Sequence, residues 1–481
     1  MSSPRVDVDG VLVSPDHYIN GERIASSRTF EDRSPLDWTW KLADVARAGS
    51  VEADLAVTAA EAAFPAWASL SVKERSAYLD RLADLIDRDV DAIAHVECLD
   101  MAMLEESLRL RVIGRGARNF RAYAELARNY EPRRWSSNGT ANTVLRMPAG
   151  PTVVITPWNA PFMLSTWKCA PALAAGNTVI AKPAEMTPLT AIRIGELAAQ
   201  AGIPDGVLQV LPGKGSVVGQ RLVGHPAVRK IVFTGSTEVG RQVMAGCARQ
   251  VKRLTLELGG KSANIVFADS DLEQAAATAP YAVFDNAGQD CCARSRVLVE
   301  ASVFDRFTAL FEEHVRAIRV GDPLDPATEM GPLISAAQRD AVASFLDDGD
   351  PVVCRGSAPE GPGFWFAPTV LAPVEPNARA AREEIFGPIA AVIPFADEAD
   401  AVRLANDTIY GLSGSVWTRD GARALRMTRA IETGVISVNS NTSVRVTTPF
   451  GGFKQSGYGR ELGPHALDAY TEVKSIFFAT G

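Results

Sequence analysis

The spacing of apolar residues changes character about a third of the way along the chain. Between residues 71 and 97, "SVKERSAYLDRLADLIDRDVDAIAHVE" sets Leu79, Leu82, Ile86, Val90 and Ile93 at helical intervals. Ser71, followed three residues on by Glu74, makes a capping box, so the pattern predicts one long amphipathic helix over 71–97. From about residue 150 short β-branched runs take over: "TVVIT" (152–156), "TVIAK" (178–182), "VLQVL" (207–211) and "KIVFT" (230–234), separated by helical stretches such as "TPLTAIRIGELAAQAG". Alternation of this kind predicts a parallel, doubly wound α/β sheet, because each parallel return needs a crossover helix. A second α/β region follows "LTLELGGK" and runs through "RVLVE", "VFDRFTALFEEHVRAI" and "GVISVNS". Within it, residues 347–368, rich in Gly, Pro and Asp, read as a surface loop or hairpin. Residues 127–147 have β-prone ends and no helical period. They read as a protruding hairpin of the sort that pairs with another subunit.

Length and composition narrow the class. A chain of 481 residues exceeds one ordinary compact domain and implies two or three. With 47% hydrophobic and 22% charged residues it has the balance of a soluble globular protein. The net charge of −8 is scattered along the chain, which argues against a nucleic-acid partner. "MSSPRVDVDGVLV" lacks a basic segment followed by an apolar run, and no apolar stretch approaches a membrane-spanning length. The expected location is cytoplasmic, with no membrane contact. Six irregularly placed cysteines form no disulfide framework, and the adjacent Cys291 and Cys292 are badly placed to bridge each other. No metal site is expected.

Five stretches carry residue types suited to chemistry. "FDNAGQDCCARSR" (284–296) sets Cys291 and Cys292 behind small polar residues that permit a tight backbone path, with Arg294 and Arg296 directly after as sources of positive potential. A reactive cysteine needs thiolate character and partial exposure, whereas most free cysteines are buried small hydrophobes; the stretch alone fits either. The five histidines, His17, His95, His225, His314 and His465, stand beside no recognisable partner, which leaves a Cys–His hydrolase poorly supported. "KIVFTGSTEVGRQVM" (230–244) reads as strand, tight turn at Gly235 and helix from near Ser236, whose free N–H groups suit a pyrophosphate. The three-glycine dinucleotide fingerprint is absent, and an ordinary βα turn has the same pattern. "VIAKPAEMTPLT" (179–190) ends a strand at Lys182 and leads to Glu185, where open α/β sheets bind ligands. A carboxylate there would accept from ribose hydroxyls and repel a 2′-phosphate, favouring NAD over NADP; a surface Lys–Glu pair is the other reading. "TLELGGKSANIVF" (255–267) puts Glu257 among apolar residues, where desolvation raises a carboxyl toward the range of a general base, unless a salt bridge holds it. Asn159 in "ITPWNAPFMLSTWK" (155–168) is a neutral donor suited to an oxyanion, or else a turn asparagine.

Together these stretches resemble the NAD(P)-dependent aldehyde dehydrogenase superfamily, of the hydrolytic, non-acylating type. The matching motifs, in order, are "TPWNAPF", "KPAEMTP", "FTGSTEVG", "LELGGKS", "NAGQDC", "EEIFGP" (383–388), "YGLSGSVWT" (410–418) and "PFGGFKQSGYGRELG" (449–463). The resemblance covers the chain from about 150 to its end; the first 130 residues match in texture only, with "CLDMAMLEES" in place of a Thr-Gly-Lys-Pro-like stretch. The implied fold is a Rossmann-like doubly wound NAD-binding domain (1–126 and 148–257), an α/β catalytic domain (258–456) and a small β oligomerisation arm (127–147 and 466–481). The implied catalytic residues are Cys291 as nucleophile, Glu257 as general base, Asn159 as oxyanion donor, and Lys182, with Cys292 a bystander. Lys182 and Glu185 match the adenosine-ribose contacts, Gly235 and Ser236 the phosphate turn, and Glu384 and Phe386 the residues that position the nicotinamide riboside. Ile155, Thr156, Pro157, Trp158, Gly215, Phe233, Val239 and Leu258 match the rest of the cofactor cleft. The implied assembly is a homodimer or homotetramer.

The implied reaction is NAD-dependent oxidation of an aldehyde to a carboxylic acid through a cysteine thiohemiacetal and a thioester that Glu257 helps hydrolyse. Acyl-CoA-forming relatives lack that glutamate. Trp167 and Phe450 match positions that line the aldehyde tunnel, with Ala160, Leu164 and Val444 at its other walls. Ala160 replaces an often aromatic residue and implies a wider tunnel. "PFMLSTWK" is similar to hydroxymuconic-semialdehyde dehydrogenases of aromatic catabolism and "NAGQDC" to aminobutyraldehyde dehydrogenases, which leaves semialdehydes and aminoaldehydes both open. Arg445, in "SNTSVRVTTPF", could read an anionic substrate group or be a solvated loop arginine. From other classes, a cofactor-independent cysteine esterase is disfavoured by the Lys182–Glu185 pair. A retired structural protein is disfavoured by the presence of both Cys291 and Glu257.

Overall fold

The computed structural model describes residues 3–130, 133–137, 139–442 and 444–479. The four β-branched runs form strands close to their expected bounds, Thr152–Ile155, Val179–Lys182, Leu208–Val210 and Lys230–Thr234, each buried along its whole length. With Arg253–Glu257 they form the parallel middle of an eight-stranded sheet, in the order Arg253–Glu257, Lys230–Thr234, Thr152–Ile155, Val179–Lys182, Leu208–Val210. Short antiparallel strands close both edges: Gly457–Tyr458 on one side, His17–Ile19 and Glu22–Ile24 on the other. The chain builds outward from Thr152–Ile155 in one direction and then returns to its other side with Lys230–Thr234. That reversal opens a crevice at the carboxyl ends of the strands, where a doubly wound sheet binds ligands.

The second region forms a seven-stranded sheet in the order Val352–Arg355, Thr369–Leu371, Ile389–Phe395, Arg296–Glu300, Ala263–Val266, Ser413–Trp417, Val435–Val438. All neighbours run parallel except the first pair. The segment read as a loop or hairpin over 347–368 therefore contains one strand of an antiparallel edge pair. The chain passes from the first sheet to the second through Leu258–Gly260, and it returns at Ser456, whose carbonyl accepts from the Leu258 N–H at 2.9 Å. Among the described residues no single helix is long and apolar enough to cross a membrane.

Two expectations change. The helix over 71–97 is two helices, Val72–Arg88 and Val90–Met101, parted at Asp89. The capping box forms, with Glu74 Oε2 accepting from the Ser71 N–H at 2.7 Å. The break occurs because the Asp89 carboxylate is held from two sides, by Arg88 at 2.6 Å and by Arg193 at 2.6 Å. The arm also differs in its bounds. The helix Gly114–Arg128 runs into the start of the expected hairpin, and the strand Thr140–Pro148 runs past its end. Arg133–Ser137, Thr140–Pro148 and Thr471–Ala479 form a separate antiparallel sheet, whereas Ala466, Leu467 and Tyr470 are buried in the main core and lie outside the arm. Residues 131, 132, 138, 480 and 481, within the expected arm, lie outside the described residues.

Asn177 ties this sheet's root to the amino ends of the strands Thr152–Ile155 and Val179–Lys182. Its Oδ1 accepts from the Gly150 N–H at 2.8 Å, and its Nδ2 donates to the carbonyls of Ala172 at 3.1 Å and Tyr470 at 3.0 Å. The side chain is fully buried, so Asn177→Ala leaves the Gly150 N–H unpaired away from water, while the Ala172 and Tyr470 carbonyls keep the backbone N–H groups of Asn177 and Ala149. The expected loss is about 1–3 kcal/mol of stability, read as a fall of a few degrees in the thermal melting temperature. A melt that matches the wild type would show that water replaces the asparagine.

Candidate active site

The Cys291 loop begins with a backbone inversion. Asn286 (φ 53°, ψ 38°) and Ala287 (φ 54°, ψ 33°) are left-handed, and Gly288 follows at φ 72°. Left-handed geometry costs a non-glycine residue roughly 1–2 kcal/mol, so the surroundings must enforce it. They do so through amide side chains. Gln289 Nε2 donates to the Asn286 carbonyl at 3.1 Å while its Oε1 accepts from the Ile334 N–H at 2.9 Å. Asn286 Nδ2 donates to the Asn159 carbonyl at 3.0 Å. A side chain on Gly288 would collide with the Gly387 carbonyl. Cys291 emerges from this turn partly exposed, with Cys292 buried behind it.

Cys291 faces a cleft of about 230 Å³ that gathers residues from both sheets. Pro157, Trp158 and Asn159 reach it from the end of the Thr152–Ile155 strand, and Gly235 and Ser236 from the end of Lys230–Thr234. Leu258 enters at the crossing, and Glu384, Phe386 and Gln338 from the second sheet's connections. Phe386 is itself left-handed at φ 55° and meets Trp158 edge-on at 5.3 Å, while its carbonyl accepts from Gln338 Nε2 at 2.8 Å. Burial raises Glu384 to about 7, against the pull of the Gly260 N–H that its Oε1 accepts at 2.9 Å. Asn159 Nδ2 donates to the Gln289 carbonyl at 2.9 Å, which leaves its second N–H for another acceptor.

The remaining cofactor candidates lie along the strand ends beside the cleft. Ser236 caps the helix Thr237–Ala248, its Oγ accepting from the Val239 N–H at 3.3 Å, and Val239 is exposed on the first turn. Phe233 packs beneath Gly235, with Ile155 buried in the same cluster. Thr156 Oγ1 pairs with Ser165 Oγ at 3.3 Å. Lys182 Nζ donates to the Pro183 carbonyl at 2.9 Å and keeps two N–H groups for a ligand. Burial lowers it to about 8, with Glu185 acting the other way, and Gly215 lies against the same ammonium. A nucleotide's diphosphate, riboses and ring fit this set of donors and acceptors: a capped helix start and an under-used ammonium that donate, and two carboxylates that accept.

On its other side Cys291 packs against an apolar cluster that holds Ala160, Leu164, Trp167, Phe450 and Val444 together with Cys292. Trp167 and Phe450 meet edge-on at 5.1 Å. Arg445 is exposed and sits outside the cluster.

Charge around the thiol is arranged differently from the sequence expectation. Arg294 is buried but spends its guanidinium on the Cys292 carbonyl at 2.6 Å and on Ser415 Oγ at 3.0 Å. Arg296 donates to the carbonyls of Lys261, Leu404 and Ala405 at 2.8, 2.9 and 2.8 Å. Both brace the second sheet. Asp290 Oδ1 accepts from the Cys292 N–H at 3.0 Å and stands 3.6 Å from Cys291 Sγ. The adjacent Cys292 thiol, burial, and the neighbouring Asp290 and Glu384 carboxyls hold Cys291 above its ordinary range. Glu257 is buried and neither of its oxygens has a hydrogen-bond partner. Burial and Glu461 push it well up, while Lys168 opposes. Lys168 and Glu461 form a buried ion pair at 2.6 Å; sequence reading missed both, because 293 residues separate them. Gln338 was missed as well: it stands in an ordinary helix start, and only its contact with the Phe386 carbonyl distinguishes it.

Comparison with known proteins gives a consistent answer. The family model described as "Aldehyde dehydrogenase family" matches residues 23–476. The chain is 43% identical over 472 residues to the NADP/NAD-dependent aldehyde dehydrogenase PuuC of Escherichia coli (strain K12), covering 96% of this chain and 95% of that one. It is 42% identical over 478 residues to the 2-hydroxymuconic semialdehyde dehydrogenase of Pseudomonas sp. (strain CF600), covering 96% and 98%. The structure superposes on the AldA indole-3-acetaldehyde dehydrogenase of P. syringae, solved with NAD+ and IAA, at a TM-score of 0.95 and 40% identity, covering 97% of each chain.

The raised Glu257 carboxyl makes a signed prediction. The folded chain keeps its proton to higher pH than the unfolded chain does, so ionisation charges a growing penalty to folding as pH rises above the ordinary glutamate value. Glu257→Gln removes that penalty. Its melting temperature relative to wild type is expected to climb by about 1–2 °C between pH 6 and pH 9. A gap independent of pH would mean that the carboxyl is not buried as a neutral acid.

Proposed function

The chain belongs to the aldehyde dehydrogenase family, and from that premise we propose that Cys291 is the nucleophile of its NAD-dependent oxidation of an aldehyde to a carboxylic acid. The observation that carries this reading is the position of the thiol between the cleft holding Asn159, Glu384 and Phe386 and the apolar cluster of Trp167 and Phe450. Cys291 Sγ adds to the aldehyde carbon, and the oxygen, now an anion, takes the second N–H of the Asn159 amide. NAD+, when bound, supplies the hydride acceptor. Loss of hydride from carbon leaves an acyl thioester on Cys291. Glu257, once ionised, takes a proton from water, whose oxygen attacks the acyl carbon and releases the acid and the thiol.

The raised thiol is no obstacle to this chemistry. The oxidised nicotinamide ring is cationic, and a positive charge brought beside Cys291 favours the thiolate. In this reading Glu384 and Phe386 orient the nicotinamide riboside, while Gly235 and Ser236 receive the diphosphate at the start of a twelve-residue helix. Lys182 and Glu185 hold the adenosine ribose, and the Glu185 carboxylate disfavours a 2′-phosphate, so NAD is preferred to NADP. Residues 3–126 and 148–257 serve as the cofactor domain and 258–456 as the catalytic domain. The bare strand edge and the exposed Val473, Phe477 and Phe478 of the outer sheet support pairing into a homodimer or homotetramer. Six free cysteines support a reducing, cytoplasmic location. Likeness to the 2-hydroxymuconic semialdehyde dehydrogenase supports a semialdehyde substrate.

An aldehyde panel with NAD+ and NADP+ in parallel tests the assignment. Cys291→Ala is expected to form no NADH with any aldehyde. Glu257→Gln is expected to form one equivalent per active site and then turn over roughly 100- to 10,000-fold more slowly, the scale of a lost general base. Steady NADH production by Cys291→Ala would sink the assignment.

A further inference from the structure

Two cations around the site carry a buried nitrogen without a hydrogen-bond partner: Lys261, which has Glu384 nearby, and the half-buried Arg115. Arg294 and Arg296 are spent on carbonyls, and Lys168 pairs with Glu461. Arg115 stands apart. It lies in the first turn of the helix Gly114–Arg128, directly after the π-helical turn Leu108–Ile113. Such turns rotate the side chains that follow them and recur at functional sites. The Arg115 guanidinium lies 5.9 Å from the Trp167 ring centroid. Its Nη2 is buried with no hydrogen-bond partner, and so is Nε1 of Trp167 itself. One orphan donor therefore belongs to the apolar cluster against which Cys291 packs, and the other stands over the same ring, near enough to Cys292 to feel its charge. No acid among the described residues pairs with Arg115. Burial and the neighbouring Arg118 lower it to about 10, so it stays charged at neutral pH.

An unpaired guanidinium and an unpaired indole N–H cost stability wherever they are buried together, and a planar oxyanion would relieve both. We propose that Arg115, with the Trp167 N–H, recognises a carboxylate on the substrate, so that the preferred aldehydes carry an anionic group remote from the reacting carbon. This rests on the reading of Cys291 as nucleophile, and it narrows the semialdehydes to those bearing an acid. The exposed Arg445 has solvent for its charge. Of the two carboxyls beside the thiol, Asp290 already accepts from the Cys292 N–H and Glu384 from the Gly260 N–H, so an ammonium-bearing aldehyde finds less available partners.

The test compares kcat/KM for succinic semialdehyde and 5-oxopentanoate with that for pentanal and 4-aminobutanal, in wild type, Arg115→Met, Arg115→Lys and Arg445→Ala. Wild type is expected to favour the acids over pentanal. Arg115→Met should lower that ratio about 10- to 100-fold, the scale of a lost charged hydrogen bond. Arg115→Lys should restore part of it, since it keeps the charge but not the fork. A ratio unchanged in Arg115→Met, a loss confined to Arg445→Ala, or a preference for 4-aminobutanal overturns the proposal. Oxidation of pentanal by wild type but not by Cys291→Ala keeps the nucleophile assignment intact even then. Calorimetric binding of succinate to Cys291→Ala with NAD+ present gives a readout free of turnover. Adding Arg115→Met should weaken it at least about tenfold, and equal binding by the two proteins overturns the proposal.

Discussion

Two adjacent glycines at the crossing between the sheets set the dimensions of everything around them. The chain leaves the first sheet at Glu257 and joins the second at Ala263. A side chain on Gly259 would collide with the Glu384 carboxylate, and one on Gly260 with the Cys291 carbonyl oxygen. The Gly260 N–H donates to Glu384, and the Ser456 hydroxyl donates to the Gly259 carbonyl at 2.6 Å. The crossing, the cysteine loop, the Glu384 loop and the returning chain thus meet at backbone contact distance. Their spacing is set by the backbone contact of Gly260 with the Cys291 carbonyl and by the seat of the Glu384 carboxylate on the two glycines. That is how residues as far apart as Gly260 and Glu384, separated by 124 positions, can be held ready for chemistry without rearrangement.

Around that junction, buried charges fall into two groups. Arg294, Arg296 and the Lys168–Glu461 pair have their partners in the fold, and they hold loops and strands in place. Glu257, Lys182 and Arg115 have none or too few. A scaffold under selection for stability alone would fill such gaps, because each unpaired buried group costs about 1–3 kcal/mol. They lie at the strand ends and in the wall beside the thiol, where a ligand can complete them. The left-handed Asn286, Ala287 and Phe386 belong to the same economy: backbone strain is concentrated where the cysteine and the cleft are positioned.

Local signals carried much of this to the level of sequence. The β-branched runs at 152, 178, 207 and 230 place four strands of the first sheet, because a strand buried on both faces must be apolar throughout. Cys291, Asn159 and Gly235 stand in turns whose small residues announce a tight backbone path. The break at Asp89 was invisible because Val90 and Ile93 continue the helical phase of the preceding turn, and the group that stabilises it, Arg193, lies 104 residues on. Lys168, Glu461 and Arg115 were invisible for the same reason. Their meaning is a partner, or the lack of one, across the fold, and no spacing along the chain encodes that. The resemblance places residues 466–470 in the arm, whereas Tyr470 is buried and its carbonyl is held by Asn177.

The crossing also governs how this gene can drift. Any missense change in a glycine codon installs a side chain, and at Gly259 or Gly260 a side chain meets the Glu384 carboxylate or the cysteine loop. At Gly219 and Gly224 the same change meets nothing within 4 Å. Two neighbouring positions are therefore closed to amino-acid replacement while other glycines stay open. Any widening of substrate range must enter through the walls of the pocket, where side chains can be exchanged, and not through the junction that fixes its depth.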